Sequence, residues 1–191
     1  CYSYKLNFIM LAKIIALLLT LLLIPVFIIL GLIIFLNDGF PIIFVQKRSG
    51  RNNKMFNLYK FRTMKKETPD IATHLMEEKN NHILKSGYFL RKTSLDELPQ
   101  LFNIMKGDIT FIGPRPALHN QKDLIALRDK YDINNLKPGI TGWAQINGRD
   151  SLSIEEKVKY DYEYLKNKSF RLDCLIMYKT IIKVLLAKDI L

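Results

Sequence analysis

The chain has 191 residues, of which 49% are hydrophobic and 25% charged, and 29 Lys and Arg against 18 Asp and Glu give a formal net charge of +11. This positive charge predicts an anionic partner, such as an anionic lipid, a nucleotide or a nucleic acid. Two cysteines, Cys1 and Cys174, exclude a disulfide framework and a cysteine-rich metal site, and they fit a reducing cytosolic environment.

An uncharged apolar run of 23 residues extends from Ile14 to Leu36. As a straight helix it would cross a bilayer core of roughly 30 Å. Pro25 lies near its middle and removes a backbone donor, so we expect the helix to break there. A re-entrant helix and a kinked single-pass anchor both remain open. The re-entrant form keeps every flanking basic residue on the cytoplasmic side; these residues are Lys5, Lys13, Lys47, Arg48, Arg51 and Lys54.

Short elements follow the apolar run. Partial alternation of apolar residues predicts two strands around the turn SGRNN, which would form a hairpin. Glycines after two helix-like segments predict where those helices end. The strands are Ile42 to Gln46 and Met55 to Thr63; the helices are Pro69 to Leu84, closed by Gly87, and Leu95 to Lys106, closed by Gly107.

The second half alternates helices with irregular segments. Two prolines bracket Arg115, so the segment DITFIGPRP should be stiff and extended. We expect a helix over Pro116 to Tyr131 and an ordered loop over Lys137 to Asp150. Ser153-x-x-Glu156 is a capping box that should open a helix reaching Asn167. The last helix, Phe170 to Leu186, is predicted to be amphipathic and suited to an interface, with an apolar side formed by Leu172, Leu175, Ile176, Ile182 and Leu186.

Adjacent carboxylates, Asp96 and Glu97, are predicted to lie in the opening turn of a helix. Helix N-termini favour negative charge, so Asp96 should stay ionised and be available as a nucleophile or a metal ligand. By themselves, these acids favour a structural interpretation. Ser94-x-x-Glu97 is also a capping box, and acids are common in first turns.

Three basic side chains are candidates for binding an anion. Arg115 has its backbone fixed by two prolines, as suits a phosphate clamp, although a rigid surface turn would look the same. Lys60 and Arg62 would share one face of an extended strand, where they could contact nucleic acid, lipid headgroups or a nucleotide diphosphate, or form a solvated basic face. The histidines have no ligand spacing and are expected at the surface; they are His74, His82 and His119.

Five segments in this order resemble the bacterial sugar transferase family, the monotopic phosphoglycosyl transferases: PIIFVQKRSG, YKFRTM, SLDELPQLFNIMKGD, FIGPRP and KPGITGWAQINGRD. The resemblance implies an α+β fold that is mostly helical. In such a fold a re-entrant membrane helix over residues 1–40 joins a small cytosolic catalytic domain over residues 41–191. It also implies a place at the cytoplasmic face of the bacterial inner membrane.

The resemblance also implies an activity. Such enzymes move a sugar-1-phosphate from a UDP-sugar to undecaprenyl phosphate and release UMP, with Mg²⁺ as cofactor, as a first membrane step of glycan assembly. It makes Asp96 the nucleophile, Asp96 and Glu97 the metal ligands, Arg115 the phosphate clamp with Arg91 and Lys60 as further candidates, and Asp161 a positioning acid. The expected partners are the two substrates and membrane lipids, with no nucleic acid.

The chain departs from the family pattern near its start. Ile24 stands where a serine usually precedes the helix break, and Ala12 stands about where an acid is expected. Two other functions remain open. A membrane-tethered module that binds nucleic acid or lipid would explain the charge, and a non-catalytic membrane scaffold would release no UMP.

Overall fold

The computed structural model describes residues 2–68, 82–148 and 151–186. These residues form a mostly helical α+β structure, as predicted, and contain two small sheets. The helices are α1 (Tyr2–Leu22), α2 (Ile24–Asp38), α3 (Lys85–Lys92), α4 (Gln100–Lys106), α5 (Lys122–Lys130), α6 (Trp143–Ile146), α7 (Ile154–Asn167) and α8 (Phe170–Leu185). The strands are β1 (Ile43–Ser49), β2 (Met55–Phe61), β3 (Thr110–Ile112) and β4 (Gly139–Thr141), and short 3₁₀ turns cover Arg51–Asn53, Leu95–Glu97 and Ile133–Asn135.

The apolar run forms two helices that meet at a sharp bend. Pro25 occupies the first turn of α2, where a missing backbone donor costs nothing, and Leu23 links α2 to α1. The axes of Ile9–Leu22 and Ile24–Asp38 differ by 63°. Among the described helices, none is long and apolar enough by itself to cross a membrane, whereas this bent pair meets the criterion of length and composition when taken together.

Each of these two helices packs one side against the rest of the chain. Ala12 and Ala16 of α1 are buried with Leu58, Leu101 and Ile104, so α1 lies against β2 and α4. Leu30 and Ile34 of α2 pack with Phe61 and Leu90. The opposite sides expose large apolar side chains, which include Leu18, Leu22, Ile28, Ile29, Leu32 and Leu36. The proposed division into residues 1–40 and 41–191 stays a prediction.

The predicted hairpin is confirmed. Strands β1 and β2 pair antiparallel, with Ile43 opposite Phe61 and Ser49 opposite Met55. Strand β1 continues three residues beyond the predicted end, to Ser49, and β2 ends at Phe61, two residues before the predicted Thr63. The turn between them is the 3₁₀ turn Arg51–Asn53 with its flanking residues.

The predicted single helix from Leu95 to Lys106 is interrupted. A 3₁₀ turn holds Leu95–Glu97, and Pro99 then caps α4, since proline cannot continue a helix but can begin one. Gly107 ends α4 as predicted, in the left-handed conformation with φ +91°. The Ser94 capping box does not form. Ser94 itself is left-handed, with φ 56°, and its side chain makes no capping hydrogen bond.

The predicted helix from Pro69 to Leu84 lies mostly outside the described residues. Of its described end, His82 is helical, whereas Ile83 forms a β-bridge with Met64 and Leu84 is extended. Gly87 lies inside α3 instead of ending a helix. A β-carbon there would collide with the backbone oxygen of Thr63, so the close approach of α3 requires glycine at this position.

Two segments in the second half differ from prediction. The helix expected from Pro116 begins only at Lys122, because Ala117 and Leu118 are extended and pair with the end of β1. The loop expected over Lys137 to Asp150 contains β4 and α6, while its last two residues lie outside the described part. Strand β4 pairs parallel with β3, and Thr110 lies opposite Gly139.

The last two helices are confirmed. The Ser153 backbone amide donates to Glu156 Oε2 (2.8 Å), and the Glu156 amide donates to Ser153 Oγ (3.2 Å), which completes the predicted capping box. Helix α8 divides its apolar residues between two sides. Ile176 and Leu172 pack against Tyr164, whereas the opposite side exposes a stripe formed by Phe170, Tyr178, Ile181 and Leu185.

Candidate active site

Two adjacent carboxylates are buried just before α4. Asp96 and Glu97 are 8% and 9% exposed, in the 3₁₀ turn just before α4. The left-handed backbone of Ser94 turns the chain from α3 into this pair, and Pro99 then fixes the direction in which α4 leaves it. Carboxylates this well buried need cationic or hydrogen-bonding partners.

Lys60, on β2, supplies one such partner. Its Nζ donates to Glu97 Oε1 at 2.8 Å and lies 3.9 Å from Asp96 Oδ2, so one ammonium group faces both carboxylates. Burial lowers the pKa of Lys60 below its ordinary value, and the nearby carboxylates of Glu97 and Asp96 oppose that effect without cancelling it. An ammonium stripped of water in this way interacts strongly with an anionic oxygen.

Arg115 approaches the same carboxylate from the other side. Its Nη1 lies 3.5 Å from Glu97 Oε1, and the side chain keeps 29% of its surface exposed. The structure therefore brings together four of the predicted site residues: Lys60, Asp96, Glu97 and Arg115.

The Gly113 to Pro116 segment, which carries Arg115, is held by backbone bonds on several sides. The Gly113 amide donates to Thr141 O (2.8 Å), and the Gly139 amide donates to Pro114 O (3.0 Å). Arg48, on β1, donates from Nη1 to Pro116 O at 3.0 Å. A β-carbon on Gly139 would collide with the backbone of Gly113, so the close approach of these two segments depends on glycine.

A buried ion pair lies directly behind Arg115. Arg128 donates to Asp161 Oδ2 from both Nε (3.0 Å) and Nη2 (2.6 Å), and from Nη1 to the Arg115 carbonyl (2.9 Å). Asp161 is 1% exposed and Arg128 4%. Burial raises the pKa of Asp161, and the Arg128 guanidinium opposes that effect. Asp161 thus reaches the site through Arg128 and the backbone of Arg115.

Arg91 and the histidines are the remaining candidates. Arg91, on α3, donates from Nε to Thr63 Oγ1 at 3.0 Å, just beyond the end of β2. His119 is exposed, as predicted, while His82 is half-buried and His74 lies outside the described residues.

The solvated basic face expected from Lys60 and Arg62 does not form. Arg62 follows the end of β2, is 4% exposed, and donates from Nη2 to the carbonyls of Asp38 and Gly39 at 2.9 Å each. It also forms an ion pair with Asp38 Oδ2 at 3.0 Å. Arg62 therefore ties the end of α2 to the hairpin and does not share a solvent-exposed face with Lys60.

Asn103 is a site-forming residue that sequence reasoning missed. It is fully buried on α4, accepts from the Tyr59 amide (3.0 Å), and donates to the Asn57 carbonyl (2.7 Å) and to Asp108 Oδ2 (3.0 Å). These bonds join α4 to β2 and so fix Lys60 relative to the carboxylates. An amide between apolar residues on the buried side of a helix was the available signal.

The two adjacent carboxylates could also be ligands of a metal ion. Among residues 2–68, 82–148 and 151–186, no group of three or more His, Cys, Asp or Glu side chains could form a metal cage. A pair of adjacent carboxylates still fits Mg²⁺, which binds proteins through one or two carboxylates and takes its other ligands from substrate phosphates and water. Asp96 and Glu97 are such a pair.

The arrangement suits chemistry on a phosphate group. Two cations converge on Glu97, and the Asp96 carboxylate lies beside them, 3.9 Å from Lys60 Nζ. Arg115 is partly exposed, so a ligand can reach this cluster from outside. A deeply buried cluster without such access would favour a purely structural role.

Residues 6–187 match the sequence model of the protein family described as "Bacterial sugar transferase". It therefore belongs to the bacterial sugar transferase family.

Individual relatives share between a third and a half of their aligned residues with the chain. It is 44% identical over 155 residues to the "Uncharacterized sugar transferase EpsL" of Bacillus subtilis, covering 81% of this chain and 75% of the relative. It is 37% identical over 177 residues to the UDP-glucose:undecaprenyl-phosphate glucose-1-phosphate transferase of Escherichia coli. This match covers 89% of the present chain and 38% of the relative. It is 38% identical over 168 residues to the undecaprenyl-phosphate galactose phosphotransferase of Salmonella typhimurium. This match covers 80% of the present chain and 35% of the relative. The chain thus spans three quarters of the first relative and little more than a third of the other two.

Proposed function

We propose that this chain transfers a sugar-1-phosphate from a UDP-sugar to undecaprenyl phosphate and releases UMP, as a first membrane step of glycan assembly. Two relatives are named for transfer of glucose-1-phosphate or phosphogalactose to undecaprenyl phosphate. The observation that carries the proposal is the convergence of Lys60 and Arg115 on Glu97, directly beside Asp96.

The transfer takes place in two displacements at one phosphorus. An Asp96 carboxylate oxygen bonds to the β-phosphorus of the UDP-sugar, and the bond from that phosphorus to the bridging oxygen breaks, so that UMP leaves with the electron pair. An oxygen of undecaprenyl phosphate then attacks the phosphosugar on Asp96 and releases the carboxylate. Splitting the reaction lets a soluble donor and a lipid acceptor use one site in turn.

The basic residues and Mg²⁺ would both stabilise the negative charge of the diphosphate. Lys60 and Arg115 would bind the diphosphate oxygens and stabilise the charge that spreads over the transferring group. Mg²⁺, held by Asp96 and Glu97 together with diphosphate oxygens, would neutralise further charge when bound. Arg91 would contact the donor as it enters, and Asp161 would hold the backbone of Arg115 through Arg128.

A panel of UDP-sugars with undecaprenyl phosphate tests the function. We expect UMP release that depends on one sugar, on the lipid phosphate and on Mg²⁺. If no sugar in the panel gives UMP release, the transferase proposal is wrong and a non-catalytic scaffold is favoured. Binding of nucleic acid that weakens steeply with salt, without UMP release, would favour the nucleic-acid module instead.

Arg115→Lys should lower kcat/KM by well over tenfold, corresponding to more than about 1.4 kcal/mol of transition-state stabilisation. Lysine keeps the charge but loses the fork that binds two phosphate oxygens at once. UMP release over a range of donor concentrations measures the effect. Arg171→Lys, an exposed change on α8, is the matched control and should leave kcat/KM unchanged. Near-normal activity of Arg115→Lys would make Arg115 structural and favour Arg91 or Lys60 as the clamp.

We also propose that α1 and α2 enter and leave the cytoplasmic leaflet of the inner membrane. The 63° bend, the exposed apolar sides and the basic residues at both ends support this topology. In a background without Cys1 and Cys174, cysteines replacing Ser3 and Lys54 should both react with an impermeant thiol reagent only from the cytoplasmic side. Reaction of the Ser3 position from outside would show a true membrane span.

Pro25→Leu should favour a straight helix, because leucine supplies the missing donor and removes the clash with the preceding turn. We expect part of the population to span the membrane and transfer to fall, since the catalytic residues would tilt away from the lipid acceptor. The thiol labelling described above measures the topology, and UMP release measures the activity. Ile28→Leu, an exposed apolar change on α2, is the control. If the Pro25→Leu chain is labelled as the unchanged chain is, Pro25 does not determine the membrane topology.

A further inference from the structure

A second group of cations lies at the other end of α4, away from the carboxylates. Lys13 of α1 and Lys137 each place an ammonium nitrogen within 4 Å of the point that a β-carbon on Gly107 would occupy. Gly107 ends α4, whereas Asp96 and Glu97 precede its first turn, and a helix of this length separates its two ends by about 10 Å. The two groups of charges are therefore separate places on the molecule.

These lysines are close together without a neutralising acid. In the portions of the chain that the structure describes, neither ammonium has a carboxylate within 4.0 Å. Asp108 lies near them but accepts from Asn103. Burial lowers the pKa of Lys137, and the charges of Lys13 and Arg51 lower it further against an opposing effect from Asp108. Like charges held this close cost free energy that a bound anion would recover.

The depth of Lys13 indicates which anion can reach it. Lys13 directly precedes the uncharged run, and the bend at Leu23 is ten positions further along the chain. At about 1.5 Å per residue this is about 15 Å, which is half of a bilayer core of about 30 Å. If the bend lies near the bilayer midplane, Lys13 lies at the edge of the hydrocarbon core, where the headgroup region begins. Exposed Ile14 and Leu17, between Lys13 and the bend, would face acyl chains there.

We propose that Lys13 and Lys137 form a binding site for the headgroup phosphate of an anionic phospholipid, separate from the site of transfer. Two ammonium groups make charge-assisted contacts with phosphate oxygens. Gly107, which has no side chain, lets both ammonium groups approach the same point at the end of α4. Undecaprenyl phosphate carries the same chemical group, but its phosphate must reach Asp96 at the other end of α4.

Native mass spectrometry of the full chain released from lipid nanodiscs tests the site. The nanodiscs contain phosphatidylcholine with either phosphatidylglycerol or undecaprenyl phosphate. We expect the protein to retain phosphatidylglycerol, and Lys13→Gln combined with Lys137→Gln to lower that retention at least about tenfold. The control, Lys122→Gln with Lys159→Gln, removes the same charge from exposed helix positions and should retain the lipid normally. Retention of undecaprenyl phosphate should not depend on Lys13 and Lys137.

A charge reversal separates lipid loss from misfolding. Lys13→Glu places a carboxylate beside Lys137, so it should lose phosphatidylglycerol and yet melt at a higher temperature in neutral detergent than the unchanged chain. Equal phosphatidylglycerol retention by the unchanged chain and the double glutamine variant would overturn the proposal. Retention of undecaprenyl phosphate alone through these lysines would overturn it too. Because the readout is bound lipid, it holds whether or not the chain transfers sugar phosphate.

Discussion

Asp96→Asn should lower sugar-phosphate transfer by at least about 1,000-fold, equivalent to about 4 kcal/mol of transition-state stabilisation. The amide has nearly the shape of the carboxylate but cannot attack phosphorus, so the covalent route is closed. Release of UMP with saturating UDP-sugar and undecaprenyl phosphate measures the loss. An active Asp96→Asn chain would remove Asp96 from the role of nucleophile.

Two further variants define what the loss means. Glu97→Gln should leave at most a trace of activity, because it weakens both the contacts to Lys60 and Arg115 and the proposed metal site. Its residual activity should rise with added Mg²⁺, whereas that of Asp96→Asn should not. Asp123→Asn removes a carboxylate from the first turn of α5, where it is exposed, and should leave transfer unchanged.

Arg128→Ala should destabilise the protein by about 3 to 5 kcal/mol. It leaves Asp161, which is 1% exposed, as a buried carboxylate without its guanidinium partner. Chemical denaturation in mild detergent measures the change in the free energy of unfolding. A change below about 1 kcal/mol, the usual range for exposed ion pairs, would show that water reaches the pair in solution.

A double substitution separates stability from positioning. Arg128→Met with Asp161→Leu replaces both charges by apolar side chains and should restore most of the stability. It also leaves the Arg115 carbonyl without its donor, so kcat/KM should stay low while the fold recovers. Tyr164→Phe removes another buried hydrogen bond, to Asp173. It should lower the free energy of unfolding by about 1 kcal/mol without changing kcat/KM. Normal activity of the double variant would make the ion pair purely structural.

Local signals predicted the elements that local interactions form. The hairpin follows from short strands on either side of a tight turn, and α7 follows from a capping box whose two bonds lie within four residues. The break before α4 also had a local signal, since Pro99 lies inside the segment predicted as one helix. The parallel pair of β3 and β4 had none. Three-residue strands about 30 positions apart show no periodicity, and their contact depends on close packing at Gly113 and Gly139.

The sequence predicted the main residues of the candidate site but not the residues that hold them in position. Asp96, Glu97 and Arg115 lie in recognisable segments, and the resemblance to a family assigned roles to them. Arg128 occupies an ordinary helical position whose partners, Asp161 and the Arg115 carbonyl, are 33 and 13 residues away. Contacts over such distances depend on how α5 and α7 pack. The position of Arg62 was mispredicted for a similar reason, because its partner Asp38 belongs to the apolar helix pair.

The proposed mechanism has its most direct test in the intact mass of the protein after incubation with its UDP-sugar and Mg²⁺ but without undecaprenyl phosphate. We expect a mass increase of one phosphosugar, located on Asp96 by peptide fragmentation and absent from Asp96→Asn. Addition of undecaprenyl phosphate should remove the adduct and release the lipid-linked sugar diphosphate. Full transfer activity without any adduct on Asp96, at times when UMP is already released, would contradict the covalent mechanism.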